Sequence, residues 1–401
     1  MSHPHAAAVA SGLAYGLASQ QRLSGYFTGV SAARGSSAAR ALLALENRWP
    51  TLSNRIHAAS LSAELHAMPA VELTARALGT TCRLWPGHVR TYDCLFVMHD
   101  YAVSVASWPR ETATIYAYED GARASFRRAA RSGRTRIWDL PTPHHLYLAS
   151  MWAQERRQWP DLAPERSSEP EWKLARKDEE LDLANAVCVA STFTASSLPD
   201  QAMTKPILVI PYGFPTTAFT PKHRADNGPL VVLSVGTQSV QKGTHYLLQA
   251  WKRADLKDAK LRLVGPSRLD RRFLTDFVGR FEHVPHVPRA HIGAEYRAAD
   301  LLVFPTLADG FGIVIQEAMC SGTPVLTTPC GGGPECISDG EEGWIVPPRD
   351  IDALVEKLRF AAANRDRLFA MGQAARRRAE GWSWDDVGRK LVAELTARAL
   401  L

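Results

Sequence analysis

The sequence predicts an α/β protein of two domains, each built on a parallel sheet, facing one another across a hinge. The chain has 401 residues, and at roughly 100–200 residues per domain two domains are expected. In the second half, short apolar runs alternate with helical patterns, which is typical of right-handed βαβ units and a parallel sheet. Between residues 211 and 229 the sequence PYGFPTTAFTPKHRADNGP is rich in Pro, Gly, Thr and charge, so we interpret it as a linker.

The second half contains six predicted strands. They are PLVVLSVGT, KLRLVGP, FEHVPHV, DLLVFPT, PVLTTP and GWIVPP. Between them lie the predicted helices KGTHYLLQAWKR, LDRRFLTDFVGR and AHIGAEYRAA, and a further helix that starts near Gly312. In the first of these helices Tyr246, Leu247, Ala250 and Trp251 form one apolar stripe.

The first half shows the same alternation more faintly. We predict strands in YDCLFVMHD, TATIYAYED, RTRIWDLP, LANAVCVAS and PILVIPYG, with helices in RASFRRAARSG and LYLASMWAQERRQW. The strand that usually opens such a domain is missing or very short, because MSHPH is not an apolar run. The predicted boundaries are 1–212, a hinge at 213–228, 229–381, and a C-terminal helix at 382–401 that packs back toward the N-terminal domain.

Composition narrows the class of protein without choosing a ligand. The formal net charge of +6 and the pI of about 9.0 favour contact with phosphates, anionic membranes or nucleic acid alike. No apolar run reaches the ~18 residues of a membrane-spanning helix, and the N-terminus lacks the basic region of a secretion signal. The six cysteines form no CxxC pair, which argues against a zinc site and for a reduced, cytoplasmic protein.

The stretch DGFGIVIQEAMCSGTPVLTT carries two carboxylates, Asp309 and Glu317, where a buried strand gives way to a helix. Ligands of open parallel sheets bind at the carboxyl ends of the strands. Gly310 and Gly312 allow backbone amides to approach a ligand closely, and the start of the helix favours a phosphate or a developing anion. The alternative is that Asp309 merely caps the helix and that Glu317 lies on its exposed face.

Two further loops have the same position after a strand. VGTQSVQKG holds Lys242 on the first turn of a helix, where a lysine is unfavourable unless an anion lies nearby. Gly331–Gly333 follow another strand, with Glu335 just beyond. Taken singly, the lysine could face solvent and the glycines could form a flexible loop. Together, the three loops would converge on one edge of one sheet, which predicts a ligand that bears phosphate.

These segments resemble the retaining glycosyltransferases of family 4 (glycosyl transferases group 1), which have the GT-B fold of two Rossmann-like domains facing across a cleft. The family pattern E-G-F-G-x-x-x-x-E-A-M-x-x-G-x-P-V corresponds to DGFGIVIQEAMCSGTPV. VGTQSVQKG and GGGPECISDGEEG are similar to two further family patterns, and VIPYGF resembles the hinge. The resemblance is strong from about residue 178 to 352 and weaker toward the N-terminus.

The resemblance implies a role for each residue of a nucleotide-sugar site. Glu317 would bind the ribose and Asp309 the donor sugar, while Lys242 would hold the diphosphate with the amides around Gly310–Gly312. The predicted donor-binding set is Glu317, Gly236, Thr237, Gly310, Phe311, Gly312, Val287 and Glu335. Two departures stand out: Asp309 replaces the usual Glu, and Thr237 replaces an Arg that usually helps Lys242 to neutralise the diphosphate.

The N-terminal domain of the family carries a histidine that faces the donor sugar. We assign this role to His144, which ends a predicted strand, with His145 and His99 as alternatives; a lone histidine is also commonly structural. Glu119 and Asp120 end another predicted strand and could face the acceptor, although a cap for the following helix is the preferred interpretation.

The expected reaction is transfer of a sugar from a UDP- or GDP-linked donor to a glycan or lipid-linked acceptor, with retention of configuration and without a metal or cofactor. The leaving diphosphate would take the acceptor's proton, which suits a sequence without an obvious nucleophile–base pair. By resemblance, the product would be a bacterial surface glycan such as lipopolysaccharide, capsule or exopolysaccharide. The alternatives are a nucleotide-sugar epimerase and a non-catalytic nucleotide- or glycan-binding protein.

The predicted helix RASFRRAARSG gathers several arginines on one face. Arg123, Arg127, Arg128 and Arg131 could contact an anionic membrane at the inner face of the cytoplasmic membrane, or could simply form a solvated helix face. Nucleic acid is disfavoured, because base stacking needs aromatic residues among the charges and only Phe126 qualifies.

Overall fold

A computed structural model describes most of the chain. The described residues are 1–4, 8–33, 36–44, 56–57, 64–81, 91–162, 169–216, 219–222 and 228–401. No helix among them is both long and apolar enough to cross a membrane.

The N-terminal domain is built on parallel strands. Its strands are β1 (Tyr26–Thr28), β2 (Ala32–Ala33), β3 (Ile56–His57), β4 (Leu65–Ala67), β5 (Thr114–Tyr118), β6 (Thr135–Leu140), β7 (Ala186–Val189) and β8 (Ile207–Val209). β5-β6-β7-β8 form one run of neighbours, β1 pairs with β4, and β2 pairs with β3. Every one of these pairs is parallel.

The first residues of the chain connect the β5–β8 run to the β1–β4 pair. Ser2 bridges Phe27 on one side and Ala117 on the other. Its amide donates to Tyr116 O at 2.9 Å, and the His3 amide donates to Phe27 O at 3.0 Å. The opening strand is therefore very short, although it occupies an interior position in the sheet.

The helices of this domain are α1 (Ala8–Ser19), α2 (Ser37–Ala44), α3 (Pro69–Thr81), α4 (Thr91–Val105), α5 (Arg123–Arg131), α6 (His145–Gln158), α7 (Glu171–Leu183) and α8 (Thr192–Ser196), with a 3₁₀ turn at Asp200–Thr204. The prediction of a strand in YDCLFVMHD was wrong, because this segment is the body of α4. Its buried residues are Asp93, Leu95, Phe96, His99, Asp100 and Val103. That spacing is helical, but three of these residues are polar and so did not count as apolar in the sequence.

The C-terminal domain has a six-stranded parallel sheet of order β11-β10-β9-β12-β13-β14. The strands are β9 (Leu230–Val235), β10 (Ala259–Val264), β11 (Glu282–Val284), β12 (Leu301–Phe304), β13 (Val325–Thr327) and β14 (Gly343–Ile345). All six strands predicted in this half are present. The helices are α9 (Thr244–Ala254), α10 (Arg271–Thr275), α11 (Ile292–Ala298), α12 (Ile313–Cys320), α13 (Gly333–Cys336), α14 (Ile351–Ala363) and α15 (Arg365–Ala379), with a 3₁₀ turn at Arg289–His291.

The last helix, α16 (Trp384–Ala397), returns to the N-terminal domain. It packs against α1, and Val387, Leu391 and Leu395 are buried in the same cluster as the apolar face of α1. The Ser383 hydroxyl caps the helix by accepting from the Asp386 amide at 3.1 Å.

Helix α6 crosses in the opposite direction. Met151 is buried within the apolar core of the C-terminal domain, and Trp152 and Trp159 pack against that core. Glu155 is fully buried there. Its carboxylate accepts from Tyr246 at 3.2 Å and from Arg349 Nε at 2.6 Å, and it lies 3.1 Å from His245 Nε2. The two sheets are thus tied together by apolar packing and by a buried charged contact.

Candidate nucleotide-sugar site

The site lies at the carboxyl edge of the C-terminal sheet, where the loop after β9 meets the loop after β12. Gly243 has a φ of 69°, and a Cβ on it would lie 1.9 Å from Pro305 O. Only glycine permits this contact between two backbones. The contact brings Lys242 beside Asp309, and their side chains form an ion pair in which both remain partly exposed (27% and 20%).

Asp309 has a second partner in its own loop. Its Oδ1 atom accepts from the Phe311 amide at 3.1 Å. Helix α12 then begins after Gly312, and no side chain caps its first turn. Asp309 therefore does not cap α12, and the amides at the start of this helix remain available to an anion.

Glu317 is not an exposed helix residue, so the interpretation that it lies on a solvated face was wrong. Its exposed fraction is 2%. Tyr296 donates a hydrogen bond to Oε2 at 2.6 Å, and Arg289 pairs with Oε1. The Arg289 side chain is 60% exposed, so it can release the carboxylate to a ligand at low cost.

The glycine-rich loop after β13 completes the edge. The Gly332 amide donates to Phe311 O at 2.6 Å, and a Cβ on Gly331 would lie 3.4 Å from Asp309 Cβ. Glu335 Oε1 accepts from the Thr192 amide at 2.7 Å and from its hydroxyl at 2.6 Å. The structure thus brings the three predicted loops together, and it turns Glu335 toward the N-terminal domain.

The remaining predicted donor residues surround this edge. Gly236 has a φ of 117° and faces open space, and Thr237 follows it in the loop after β9. Phe311 is buried against Tyr212, with ring centroids 5.2 Å apart. Val287 lies in the loop after β11 and packs against the apolar cluster that contains Phe311, and this loop brings Arg289 to Glu317.

The N-terminal domain contacts the site at Gly310. A Cβ on Gly310 would lie 1.8 Å from Pro141 O. The Gly310 carbonyl accepts from Ser191 Oγ at 2.7 Å and from Thr194 Oγ1 at 3.0 Å. The loop after β6 and the start of α8 therefore close onto the loop that carries Asp309.

His144 lies at the end of the β6 loop and is fully buried. Its Nδ1 atom accepts from the Leu146 amide at 3.4 Å, while Nε2 has no hydrogen-bond partner within the described part of the chain. Burial, aided by the neighbouring His145, lowers the pKa of His144 to about 4. The imidazole is therefore neutral at physiological pH, with one ring nitrogen uncommitted.

The other two candidate histidines are placed differently. His145 Nε2 lies 2.7 Å from Asp178 Oδ1. His99 lies within α4, where its Nε2 atom is 3.1 Å from Ser2 Oγ. Its assignment to the end of a strand was wrong, because the segment that contains it is helical.

Among the described residues, one group could hold a metal ion: the ligand atoms of His144, His145 and Asp178 lie within 4.8 Å of one another. The hydrogen bond between His145 and Asp178 accounts for two of these groups without an ion. A metal-free site stays a prediction.

Glu119 and Asp120 do not cap helix α5, so the preferred interpretation of these residues was wrong. Glu180 accepts from the amides of Asp120, Ala122 and Arg123 at 2.8–3.1 Å. Asp100 accepts from the amides of the next two residues at 2.7 and 2.9 Å. The carboxylates of Glu180 and Asp100 therefore cap the start of α5, and Glu119 and Asp120 are not needed there.

The arginines of α5 differ in how strongly they are held. Arg127 pairs with Glu179, and Arg123 lies 3.8 Å from the same residue. Arg128 lies 3.9 Å above the Trp108 ring and donates to two backbone carbonyls. Arg131 is exposed at the end of the helix.

Comparison with solved structures identifies the fold. HepE from Anabaena, solved in complex with UDP and glucose, is similar over 98% of both chains, with a TM-score of 0.61 and 16% sequence identity. Sucrose-phosphate synthase from Thermosynechococcus elongatus is similar over 77% of this chain and 79% of its own, with a TM-score of 0.59 and 21% identity. The chain therefore has the GT-B fold, with two Rossmann-like domains facing across a cleft, as its sequence predicts.

Sequence comparison covers mainly the C-terminal domain. Residues 216–378 match the model for glycosyl transferases group 1. Two relatives are both named D-inositol 3-phosphate glycosyltransferase. The one from Streptomyces coelicolor is 37% identical over 28% of this chain and 25% of its own. The one from Geodermatophilus obscurus is 29% identical over 58% of this chain and 56% of its own. The chain thus spans between a quarter and just over half the length of these relatives.

Sequence reasoning missed two partners of Glu317. Arg289 lies two residues beyond Val287, a predicted donor residue, and Tyr296 lies within the predicted helix AHIGAEYRAA. No local pattern distinguishes them, because their importance comes from a contact between α11, its preceding turn and α12.

Proposed function

We propose that this protein is a glycosyltransferase that moves a sugar from a nucleotide-diphosphate donor to an acceptor. The observation that carries the proposal is the pairing of Lys242 with Asp309 between two loops at one sheet edge, beside the uncapped start of α12. An ammonium group and free helix amides suit a diphosphate. The match of residues 216–378 to glycosyl transferases group 1 supports the same conclusion.

We propose the following role for each residue of the site. Lys242 moves from Asp309 to the diphosphate, and Asp309 then accepts hydrogen bonds from the donor sugar. Glu317 exchanges Arg289 for the ribose hydroxyls. His144, neutral and with Nε2 uncommitted, faces the sugar from the N-terminal domain. Catalysis then depends on stabilising the leaving diphosphate and on aligning two substrates, and it requires neither a metal nor a cofactor.

We further propose that the protein is a retaining enzyme of family 4 with a UDP- or GDP-linked donor. It would act in the cytoplasm, in the synthesis of a bacterial surface glycan. The sequence motifs support retention. HepE, which shares the fold, was solved with UDP, and this favours a uridine donor. NMR of the product's anomeric signal tests retention, because an inverted configuration would exclude a family 4 mechanism.

A thermal-shift panel with UDP, GDP, ADP, CMP and TDP tests the proposal most directly. A ligand at 100 times its dissociation constant stabilises the folded protein by about 2.7 kcal/mol. We expect one diphosphate to raise the melting temperature of the native protein and of Lys257→Ala, in which an exposed lysine is removed. Lys242→Ala should lose the effect. If no nucleotide stabilises the native protein, a non-catalytic role is favoured.

Activity assays separate a glycosyltransferase from an epimerase and from a binding protein. A product that forms only when an acceptor is present excludes an epimerase, and slow hydrolysis of the donor excludes a protein that only binds it. The donor named by the thermal-shift panel should be used in both assays.

The proposed membrane contact lies at the junction of α4 and α5. Tyr101 and Val105, one helical turn apart on α4, are each 65% exposed. Arg128 donates to the Ser104 and Ala106 carbonyls beside them, and Arg131 follows. An apolar edge next to cationic groups suits an anionic lipid surface. Co-sedimentation with anionic vesicles but not with neutral ones is the expected result.

A further inference from the structure

A cavity of about 290 Å³ opens in the N-terminal domain at the carboxyl ends of β5 and β6. Such a volume is near the lower end of the range for small-molecule sites. Its charged lining consists of Asp93, Glu119, Asp120, Glu169, Lys173 and Lys177.

The cavity adjoins the nucleotide-sugar site. Pro141 and Thr142, which follow β6, form part of its wall. The same two residues contact Gly310, since a Cβ there would lie 1.8 Å from Pro141 O and 3.2 Å from Thr142 Cα. A molecule in the cavity would therefore be separated from the loop that carries Asp309 by Pro141 and Thr142.

Both lysines of the cavity are already neutralised. Lys173 Nζ lies 2.9 Å from Asp93, 3.2 Å from Asp120 and 2.5 Å from Glu169. Lys177 Nζ lies 3.2 Å from Glu119 and 2.6 Å from Glu169. Four carboxylates face two ammonium groups, so the described lining carries a formal excess of two negative charges when all four are ionised. Burial raises the pKa of Asp120 and raises that of Glu119 to about 7, so the excess is between one and two charges near neutral pH.

One buried carboxylate oxygen in this wall lacks a hydrogen-bond donor among the described residues. Asp120 is 8% exposed, and its Oδ1 atom accepts no hydrogen bond within the described part of the chain. The ammonium group of Lys177 is 3.9 Å from this oxygen. A buried oxygen of this kind requires a donor, and because Glu180 and Asp100 cap helix α5, neither Asp120 nor Glu119 is needed there.

We propose that this cavity is the acceptor subsite and that it selects an uncharged polyhydroxy ring, a sugar or a cyclitol, against its phosphorylated form. The inference rests on the proposed glycosyl transfer. Hydroxyl groups donate to the carboxylates, whereas among the described lining residues a phosphate monoester meets an excess of negative charge and no uncommitted cation. The acceptor thus differs in charge from the inositol 3-phosphate named for the relatives.

Ligand-observed NMR titration of the full chain tests this selection. The probes are myo-inositol, glucose, mannose, galactose and N-acetylglucosamine, with inositol 3-phosphate and glucose 6-phosphate as charged counterparts of the first two. We expect at least one neutral compound to bind, and each neutral parent to bind about tenfold or more tightly than its phosphate, since misplaced like charges cost several kcal/mol.

Charge-neutralising variants connect the selection to the cavity. Glu169→Gln at the rim and Glu119→Gln inside should each narrow the ratio of neutral to phosphorylated affinity by about threefold or more. Glu179→Gln is the matched control: it lies on the same helix as Lys173 and Lys177, loses the same charge and contacts Arg127 outside the cavity. Glu169→Gln still tests the proposal if Glu119→Gln fails to fold.

A phosphorylated probe that binds as tightly as its parent would overturn the proposal, as would the absence of binding by every neutral probe at millimolar concentration. A ratio that Glu169→Gln leaves unchanged would place the selection elsewhere and would overturn it too. The nucleotide panel is a separate readout: its failure would overturn the glycosyltransferase assignment, whereas failure here alone would remove only the acceptor subsite.

Discussion

Replacing Asp309 by Asn should make the protein bind a free nucleoside diphosphate more tightly while it loses the ability to process the donor. In the structure Lys242 pairs with Asp309, so a diphosphate must compete with that carboxylate. Asn keeps an oxygen that can accept from the Phe311 amide, and therefore the loop conformation should survive.

The size of the effect follows from the exposure of the pair. With side chains 27% and 20% exposed, the pair is close to the surface class of salt bridges, which contribute up to about 1 kcal/mol. Releasing Lys242 should therefore tighten the binding of the diphosphate about fivefold. The sugar nucleotide should gain less than the free diphosphate, because its sugar loses the Asp309 carboxylate.

Isothermal titration calorimetry with UDP or GDP, whichever stabilises the native protein, measures the change. Glu341→Gln, at an exposed position of the same domain, controls for the loss of one negative charge. If Asp309→Asn binds the diphosphate no better than this control, Lys242 is not the group that competes, and the proposed exchange of partners is refuted. Donor hydrolysis by Asp309→Asn should fall in the same samples.

Two further predictions concern stability. Glu155→Ala leaves Arg349 without its buried partner and should lower the free energy of unfolding by about 3–5 kcal/mol, measured by chemical denaturation. Exposed Glu356→Ala is the control, and an equal small loss in both would disprove a structural role for the contact. Burial raises the pKa of Asp139 from 3.8 to about 7. The unfolded chain therefore loses this proton first, and the native protein should lose stability relative to Asp139→Asn as the pH rises from about 4 to 7. Parallel pH profiles for the two proteins would contradict this.

The convergence of the three site loops could be predicted because its cause is local. Each loop has glycines directly after an apolar strand, and parallel strands deliver their carboxyl ends to one edge. The sequence alone therefore predicts that Lys242 and Asp309 lie at this edge. Their pairing with each other depends on the contact between Gly243 and Pro305, which no sequence pattern expresses.

The errors have a common physical origin. In α4 the buried face includes the polar residues His99 and Asp100, so the apolar residues alone do not show the helical period of the buried positions. The positions of Glu119 and Asp120 directly before α5 predict helix caps, whereas the capping groups come from Asp100 on α4 and from Glu180 on α7. Hydrogen bonds between polar groups that are distant in the sequence cannot be predicted from neighbouring positions.

Because α6 packs into the core of the C-terminal domain, the two domains cannot be exchanged simply by joining chains at the sequence boundary between them. A recombinant chimera that exchanged N-terminal halves near residue 212 would replace Met151 and Glu155, and with them part of the interior of the retained C-terminal half. Successful grafts would have to carry a matching α6, or to redesign the surface around His245 and Arg349. Natural exchange of N-terminal halves between related chains would require the same match.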